Sequence, residues 1–296
     1  MYNTDPALLK ECINSIRSQQ GSEVGDVEIV VHDNSSSQDL FDQFRGAVDV
    51  WISSPNVGFA AAANRCVELA RHEWILLLNP DARLGDGALH RLASLATRDM
   101  AAGDRIYCGW LISGQRVQVD AMMLWISSLS RVVRRAWYRR YLERRSGRDA
   151  VEIQKVSGGA CFGSRSTLLA LGPYDSRFFL YGEDADMSAR ARHSGIALMA
   201  VPGVHVTHSA ASSQASHSAL VEAARADAAI RLSAYRLGRV GSYLFRFEFL
   251  LVTLLGAVLA ARTSSKSART RLKRLLVMRQ WGLRMDLPKW DPACLK

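Results

Sequence analysis

The chain has 296 residues, enough for one large domain or a domain with an appendage. Its 48% hydrophobic and 22% charged residues are globular composition and exclude a disordered protein. The five cysteines are odd in number, scattered and never in a C-x-x-C pair, which excludes a disulfide framework or a zinc site and suits a reducing compartment.

In chain order, "MYNTDPALLK" has neither a basic start nor an apolar h-region, so no signal peptide is expected and the protein is expected to stay in the cytosol. Asp5-Pro6 reads as an N-cap and first helical residue, and Leu9, Cys12, Ile13 and Ile16 recur at helical spacing. A strand is predicted over 27–31, running into Asp33, Asn34 and serines. Another spans 48–53 and leads through "PNVGF" to a Gly58 loop and an alanine-rich helix ending near 71. "WILLL" (74–78) lacks the alternation of a half-wet strand and reads as an interior strand of a covered parallel sheet, followed at once by Asn79-Pro80-Asp81. A helix follows over 86–97. This alternation is that of a doubly wound α/β sheet.

After 101 the alternation weakens. Residues 104–120 contain one or two strands around a Ser113-Gly114 turn, and the basic stretch 131–148 reads as a helix. A second ordered block, 155–175, is a strand with a glycine pair followed by a short helix. It continues through "FFLYGEDADMSARARHSG" to "IALMAVPGVHVTHSAASS", and from 216 onward the chain is mostly helical.

The net charge of +10 lies largely in 131–148 and 262–279. The latter directly follows the most apolar stretch, 247–261, which falls short of the roughly 20 residues that cross a bilayer. Apolar and basic segments side by side predict a membrane-surface partner rather than nucleic acid. A buried core helix beside a solvated basic one is the simpler alternative.

Four polar clusters stand at the ends of apolar segments: Asp33-Asn34-Ser35, Asn79-Pro80-Asp81, Glu183-Asp184-Ala185-Asp186, and His205 with His208 flanked by serines. A hard divalent cation takes carboxylate oxygens, tolerates imidazole and is often shared with substrate phosphates. Asp81 and His208 would make such a half-site for Mg²⁺ or Mn²⁺, and Asp184 would suit a general base on an incoming hydroxyl. Each cluster also has a structural explanation. Acids at a helix start complement the macrodipole, a histidine after a strand is often a packed residue, and Asp-Ser runs and Asn-Pro-Asp are good turns.

Taken together and in order, "YNTDPALLKECINSI", "VEIVVHDNSSSQD", "NVGFAAAANRCVELA", "ILLLNPDARL", "GGACFGSRSTLLALGPYDSRFFLYGEDADMSARARHSG" and "VPGVHVTHSAASS" resemble family 2 glycosyltransferases. Within that family the sequence is similar to the bacterial subgroup resembling rhamnosyltransferases of cell-surface polysaccharide assembly. The resemblance covers residues 2 to about 213, with a weak stretch over 101–154. It implies a GT-A fold, a doubly wound and mostly parallel sheet, in residues 1–215. Residues 216–296 would form a helical C-terminal region able to meet a membrane.

The implied activity is inverting, metal-dependent sugar transfer from a nucleotide-diphosphosugar to a lipid-linked or growing glycan. Asp33, Asn56, Gly58, Asn64 and Asn79 would shape the nucleotide-sugar pocket, with Arg190 holding a phosphate or the acidic cluster. Asp81 and His208 would bind the metal, Asp184 would be the base, and Glu183 and Asp186 would position it or the acceptor. Rhamnose is the implied sugar, with UDP-galactofuranose, UDP-glucose and UDP-N-acetylglucosamine as alternative donors. An inactive scaffold and a basic nucleic-acid-binding protein are the competing classes. Family members carry an apolar strand just before the "YN" pair; here Met1 stands where it would end, so either the start lies upstream or that strand is lacking. The implied setting is the cytosolic face of the plasma membrane.

Overall fold

A computed structural model describes residues 1–21, 24–35, 37–114, 116–124, 128–208, 219–262 and 265–291. The expected domain boundary near 215 and the serines at 209, 212 and 213 lie outside the described residues. The N-terminal part runs α1 (Pro6–Arg17), β1 (Val30–Asp33), α2 (Gln38–Phe44), β2 (Val50–Ser53), α3 (Phe59–Leu69), β3 (Trp74–Leu78), β4 (Ala82–Leu84) and α4 (Ala88–Asp99). The middle runs β5 (Arg105–Ser113), β6 (Arg116–Val117), α5 (Ser128–Glu143), β7 (Val151–Glu152), β8 (Ala160–Ser164), α6 (Arg165–Leu171), α7 (Glu183–His193) and β9 (Ala197–His208). Three helices follow: α8 (Ala219–Arg236), α9 (Gly238–Ala261) and α10 (Ser265–Trp281).

The local signals hold. The Asp5 carboxylate accepts the Ala7 N–H at 2.8 Å with Pro6 opening α1, and β5 and β6 form a hairpin across Ser113-Gly114. The first strand begins at Val30 rather than 27, because the Asp49 carboxylate and the Asp49 and Val50 amides occupy the backbone of Ile29.

β1 and β2 pair in parallel as a separate two-stranded sheet. The larger sheet has the order β3-β8-β5-β9-β4, with β6 beside β5 and β7 beside β9. β8 lies antiparallel between β3 and β5, and β9 is parallel to β5, so the main strands β3, β5 and β9 point the same way. No strand precedes β1 among the described residues. Met1 lies beside β1, its ammonium donating to the His32 carbonyl at 2.6 Å and its own carbonyl accepting the Asn34 N–H at 2.8 Å.

The reading of 74–78 as an interior strand needs correction. Among the described residues β3 pairs only with β8, which makes it an edge of the larger sheet. Its apolar run has another cause: both faces are covered. Ile75 and Leu77 enter a core with Val67, Ile106, Cys161 and Met187, while Trp74, Leu76 and Leu78 pack on a second core around Leu92, Tyr107 and Phe162.

Opposite the Gly109–Trp110 step, β9 carries extra residues: Gly109 pairs with Val201, but Trp110 pairs with His205. Gly109 permits this bulge, since a Cβ there would stand 2.7 Å from a Val204 methyl. The re-registered end of β9 then runs antiparallel to β4, with Ala82 opposite His208.

The aromatic segment before α7 is held from two sides. The Phe179 carbonyl accepts the Phe59 N–H at 2.8 Å, and a Cβ on Gly58 (φ +90°) would lie 2.6 Å from that oxygen. From the other side, Phe179 packs edge-on to Trp290, and Phe178 packs edge-on to Tyr235. Behind them Asp227 and Arg231 form a fully buried ion pair at 3.0 Å. The Trp281 indole N–H also donates to Asp227, and Arg231 donates to the Leu287 and Pro288 carbonyls. Arg231→Ala strands a buried carboxylate and is expected to cost about 3–5 kcal/mol in chemical denaturation. Gly58→Ala, which combines positive-φ strain with overlap on backbone, is expected to cost about 2–4 kcal/mol by the same measurement.

Candidate active site

Asn79 begins a tight turn. Its carbonyl accepts the Ala82 N–H at 3.1 Å and Pro80 supplies the fixed φ of the second position, so the chain reverses from β3 into β4 with Asp81 at the third. The turn and the site are thus one device, since the turn presents Asp81 beside the first residue of β4. The register Ala82 opposite His208 brings Asp81 and His208 to neighbouring strand ends. The His205 carbonyl accepts the Gly85 N–H at 2.8 Å, which makes His205 a backbone partner of the segment after β4. Cys12 of α1 stands beneath the turn, 3.5 Å from the Asn79 carbonyl, and burial with the nearby Asp81 charge pushes its thiol up to about 12.

The second cluster is presented by strained backbone. Tyr181 has φ +68° and Gly182 φ +85°, and α7 starts at the next residue. At Gly182 a Cβ would meet the Phe178 ring and the Ala228 methyl at 3.0 Å. Glu183, Asp184 and Asp186 therefore occupy the first turn of α7, where the helix dipole favours negative charge.

Their surroundings differ. Asp184 accepts the Ala185 N–H at 2.7 Å and the Lys155 ammonium at 3.0 Å, and both members of this ion pair are mostly covered. Glu183 is buried, and its Oε2 has no hydrogen-bond partner among the described residues. Burial, reinforced by the Asp184 charge, pushes the Glu183 carboxyl up to about 8. Asp186 is buried and held by Arg190 at 2.8 Å. The remaining Arg190 donors go to the carbonyls of Leu171, Gly172 and Pro173, so Arg190 is committed to the acidic cluster and the end of α6 rather than to a phosphate.

One backbone segment joins the clusters. From Lys155 the chain passes Val156, whose N–H donates to Ser188 of α7 at 3.0 Å, and reaches Gly159, whose carbonyl accepts the Asn79 N–H at 3.2 Å. Tyr174 closes the floor. Its buried hydroxyl lies beside the Cys161 thiol, and burial, with Cys161, Glu183 and Asp184 nearby, pushes its pKa well up.

The expected nucleotide loops also meet. The buried Asn34 amide donates to the Gly58 carbonyl at 3.2 Å, and the Asn56 side chain accepts the Gly58 N–H at 3.1 Å. Asp33 is fully buried and binds the Ser35 N–H at 2.9 Å, the Ser35 hydroxyl and the Ser37 N–H at 3.0 Å, so it organises the loop into α2. Asn64 is spent elsewhere, both ends of its amide clamping the Tyr174 backbone at 2.7 and 2.9 Å.

Sequence reasoning missed Lys155 and Tyr174. The signal for Lys155 was a lone cation at the head of an apolar block, and nothing local named its partner 29 residues away. A cavity of about 570 Å³ lies on another face of α7, lined by Asp186, Arg190, His193 and Arg236, and does not include Asp184 or Lys155.

Comparisons with known proteins give the family and the fold. An N-acetylglucosaminyl-diphospho-decaprenol L-rhamnosyltransferase of Mycobacterium tuberculosis is 28% identical over 174 residues, 52% of this chain and 56% of that protein. The chain thus spans little more than half the length of this relative. Among solved structures, GalNAc-T7 with UDP, GalNAc and Mn²⁺ superposes with a TM-score of 0.53 at 14% identity, covering 70% of this chain and 42% of that one. S. aureus TarS gives 0.51 at 14% identity, covering 79% and 38%. At these identities the two show the fold alone, the GT-A fold. The family described as glycosyl transferase family 2 matches residues 1–171, more than half of the sequence, and the chain belongs to it.

Proposed function

We propose that the chain transfers a sugar, rhamnose in the first instance, from a nucleotide-diphosphosugar to a lipid-linked or growing glycan, with inversion. The observation that carries this reading is the β4–β9 register, which sets Asp81 and His208 on neighbouring strand ends. A carboxylate and an imidazole are a donor set that suits Mg²⁺ or Mn²⁺. Two protein donors would leave the ion's other positions to a diphosphate. When bound, the ion would stabilise the charge that grows on the departing nucleoside diphosphate.

The protein's own part lies on α7. Asp184 would take the proton of the attacking acceptor hydroxyl, and the Lys155 ammonium holds that carboxylate in place. Glu183, its carboxyl pushed up by burial and by the Asp184 charge, favours its neutral form beside it. Asp186, fixed by Arg190, anchors the turn that carries both. Asp33, Asn34, Asn56 and Gly58 would receive the nucleoside, their loops joined by the Asn34–Gly58 hydrogen bond. The mycobacterial relative's name supports rhamnose and a diphospholipid-linked acceptor as the first pair to test.

Two outcomes test the division of roles. With dTDP-rhamnose and a panel of UDP-sugars, Asp184→Asn is expected to lower nucleotide release by about 10²–10⁴-fold while retaining nucleotide binding by calorimetry. Asp81→Ala is expected to weaken Mn²⁺- or Mg²⁺-dependent binding of dTDP or UDP. Equal loss of binding in both variants would refute the assignment, and absence of nucleotide binding in the parent chain would favour a scaffold. A third outcome concerns pH. Because the folded chain raises Glu183 from 4.5 to about 8, its stabilising contribution is full below about pH 4.5 and is lost as pH rises through about 8. Glu183→Gln removes that loss, so its gain in melting temperature over the parent should grow from about pH 5 to about pH 8.5.

A further inference from the structure

The helix α9 is longer than the apolar stretch legible in the sequence. It runs 24 residues, through Arg246 and Glu248, and by length and composition it could cross a membrane, being about 36 Å long. Its two faces decide otherwise. The inner face is fastened to the protein: the Ser242 and Ser233 hydroxyls bond at 2.9 Å, and Arg246 donates to the Gly282 and Arg284 carbonyls at 2.5 and 2.6 Å. Phe245, Thr253 and Ala257 are buried on the same side, where α9 packs along α8 and α10.

The outer face is bare and apolar. Val240, Leu244, Phe247, Leu251, Leu254, Leu255, Val258 and Leu259 follow helical spacing, and Leu244 and Leu255 are 66% and 63% exposed. An apolar stripe of this length on a folded domain marks an interaction surface. Its rim is cationic: apart from Arg246, turned inward, and Arg274, paired with Glu222, residues 238–281 carry seven Arg and Lys against a single acid, Glu248. Arg271 of α10 reaches the middle of the stripe's helix at Gly256.

We infer that α9 lies in the plane of an anionic lipid bilayer as a docking face, its outer stripe in the acyl boundary and the basic rim on the headgroups. Charge complementarity selects lipid over a second copy of this chain, which would bring two cationic rims together. Spanning would pull Ser242 and Arg246 off their partners and carry the basic helix α10, packed alongside, toward hydrocarbon. This inference stands apart from the sugar and acceptor proposed above.

The full chain is mixed with preformed phosphatidylcholine vesicles with or without about 30 mol% phosphatidylglycerol, and bound protein is separated by flotation. Binding is expected to be at least about tenfold stronger with the anionic lipid and to fall by a similar factor in Leu244→Glu/Leu255→Glu. Both sites are exposed, so melting temperature and nucleotide binding serve as controls for folding and for the catalytic reading. On bound Arg239→Cys and Arg262→Cys variants, a membrane-impermeant maleimide should label both helix ends. Protection of one end would overturn the in-plane placement. Failure of the parent to float, undiminished flotation of the double variant, or a solution dimer that the double variant dissociates would overturn lipid as the occupant.

Discussion

The contact on which the site depends is the approach of the Phe179 carbonyl to Gly58, so close that only a hydrogen fits between them. It ties the loop before α3 to the aromatic segment before α7, two stretches separated by more than a hundred residues. Asp33, Asn34 and Asn56, proposed to receive the nucleoside, hang from one side of that contact, and the acidic cluster hangs from the other. The same oxygen accepts the Phe59 N–H, which occupies one of the free amides at the start of α3. Backbone contacts of this kind have little freedom to relax, and they suit a site whose parts must stay in register.

The C-terminal helices back this joint. Phe178 and Phe179 sit against Tyr235 and Trp290, and the Asp227–Arg231 pair with the Trp281 indole fixes α8 beneath them. Arg236 reaches across to the Ala185 carbonyl in the first turn of α7, and Lys289 to the Val57 carbonyl. The acidic turn is therefore held from behind by charged groups that do no chemistry. This frees its front for an asymmetric arrangement in which one carboxylate is paired with a lysine and its neighbour is buried with one oxygen unpartnered among the described residues.

Much of this was legible in the sequence, and the limits have a physical pattern. Helix starts and the β5–β6 hairpin are local signals of capping, turn chemistry and periodicity, and they appeared where expected. The pairing of strands was not local. Nothing in "WILLL" distinguishes an edge strand covered on both faces from an interior one, and nothing in "ACFGS" declares that β8 runs antiparallel. Side-chain roles were hardest where a polar group had two uses. Asn64 and Arg190 looked like pocket residues, but the chain spends them on the carbonyls and amides around Tyr174 and α6. Lys155 was passed over because its partner is defined only by the fold. The reach of α9 was underestimated because the apolar stretch begins only at 247, after Arg246, whereas Arg246 points inward to carbonyls.

The hydrogen bond from Arg236 to the Ala185 carbonyl has a mechanical consequence. Arg236 is the last residue of α8, and α9 begins two residues later at Gly238. With its outer stripe on a bilayer, α9 would fix the tilt of α8, and through Arg236 the attitude of the acidic turn relative to the lipid plane. An acceptor confined to that plane would then meet the enzyme at a nearly constant height. The search for it would be two-dimensional, and its local concentration would be set by area rather than by volume.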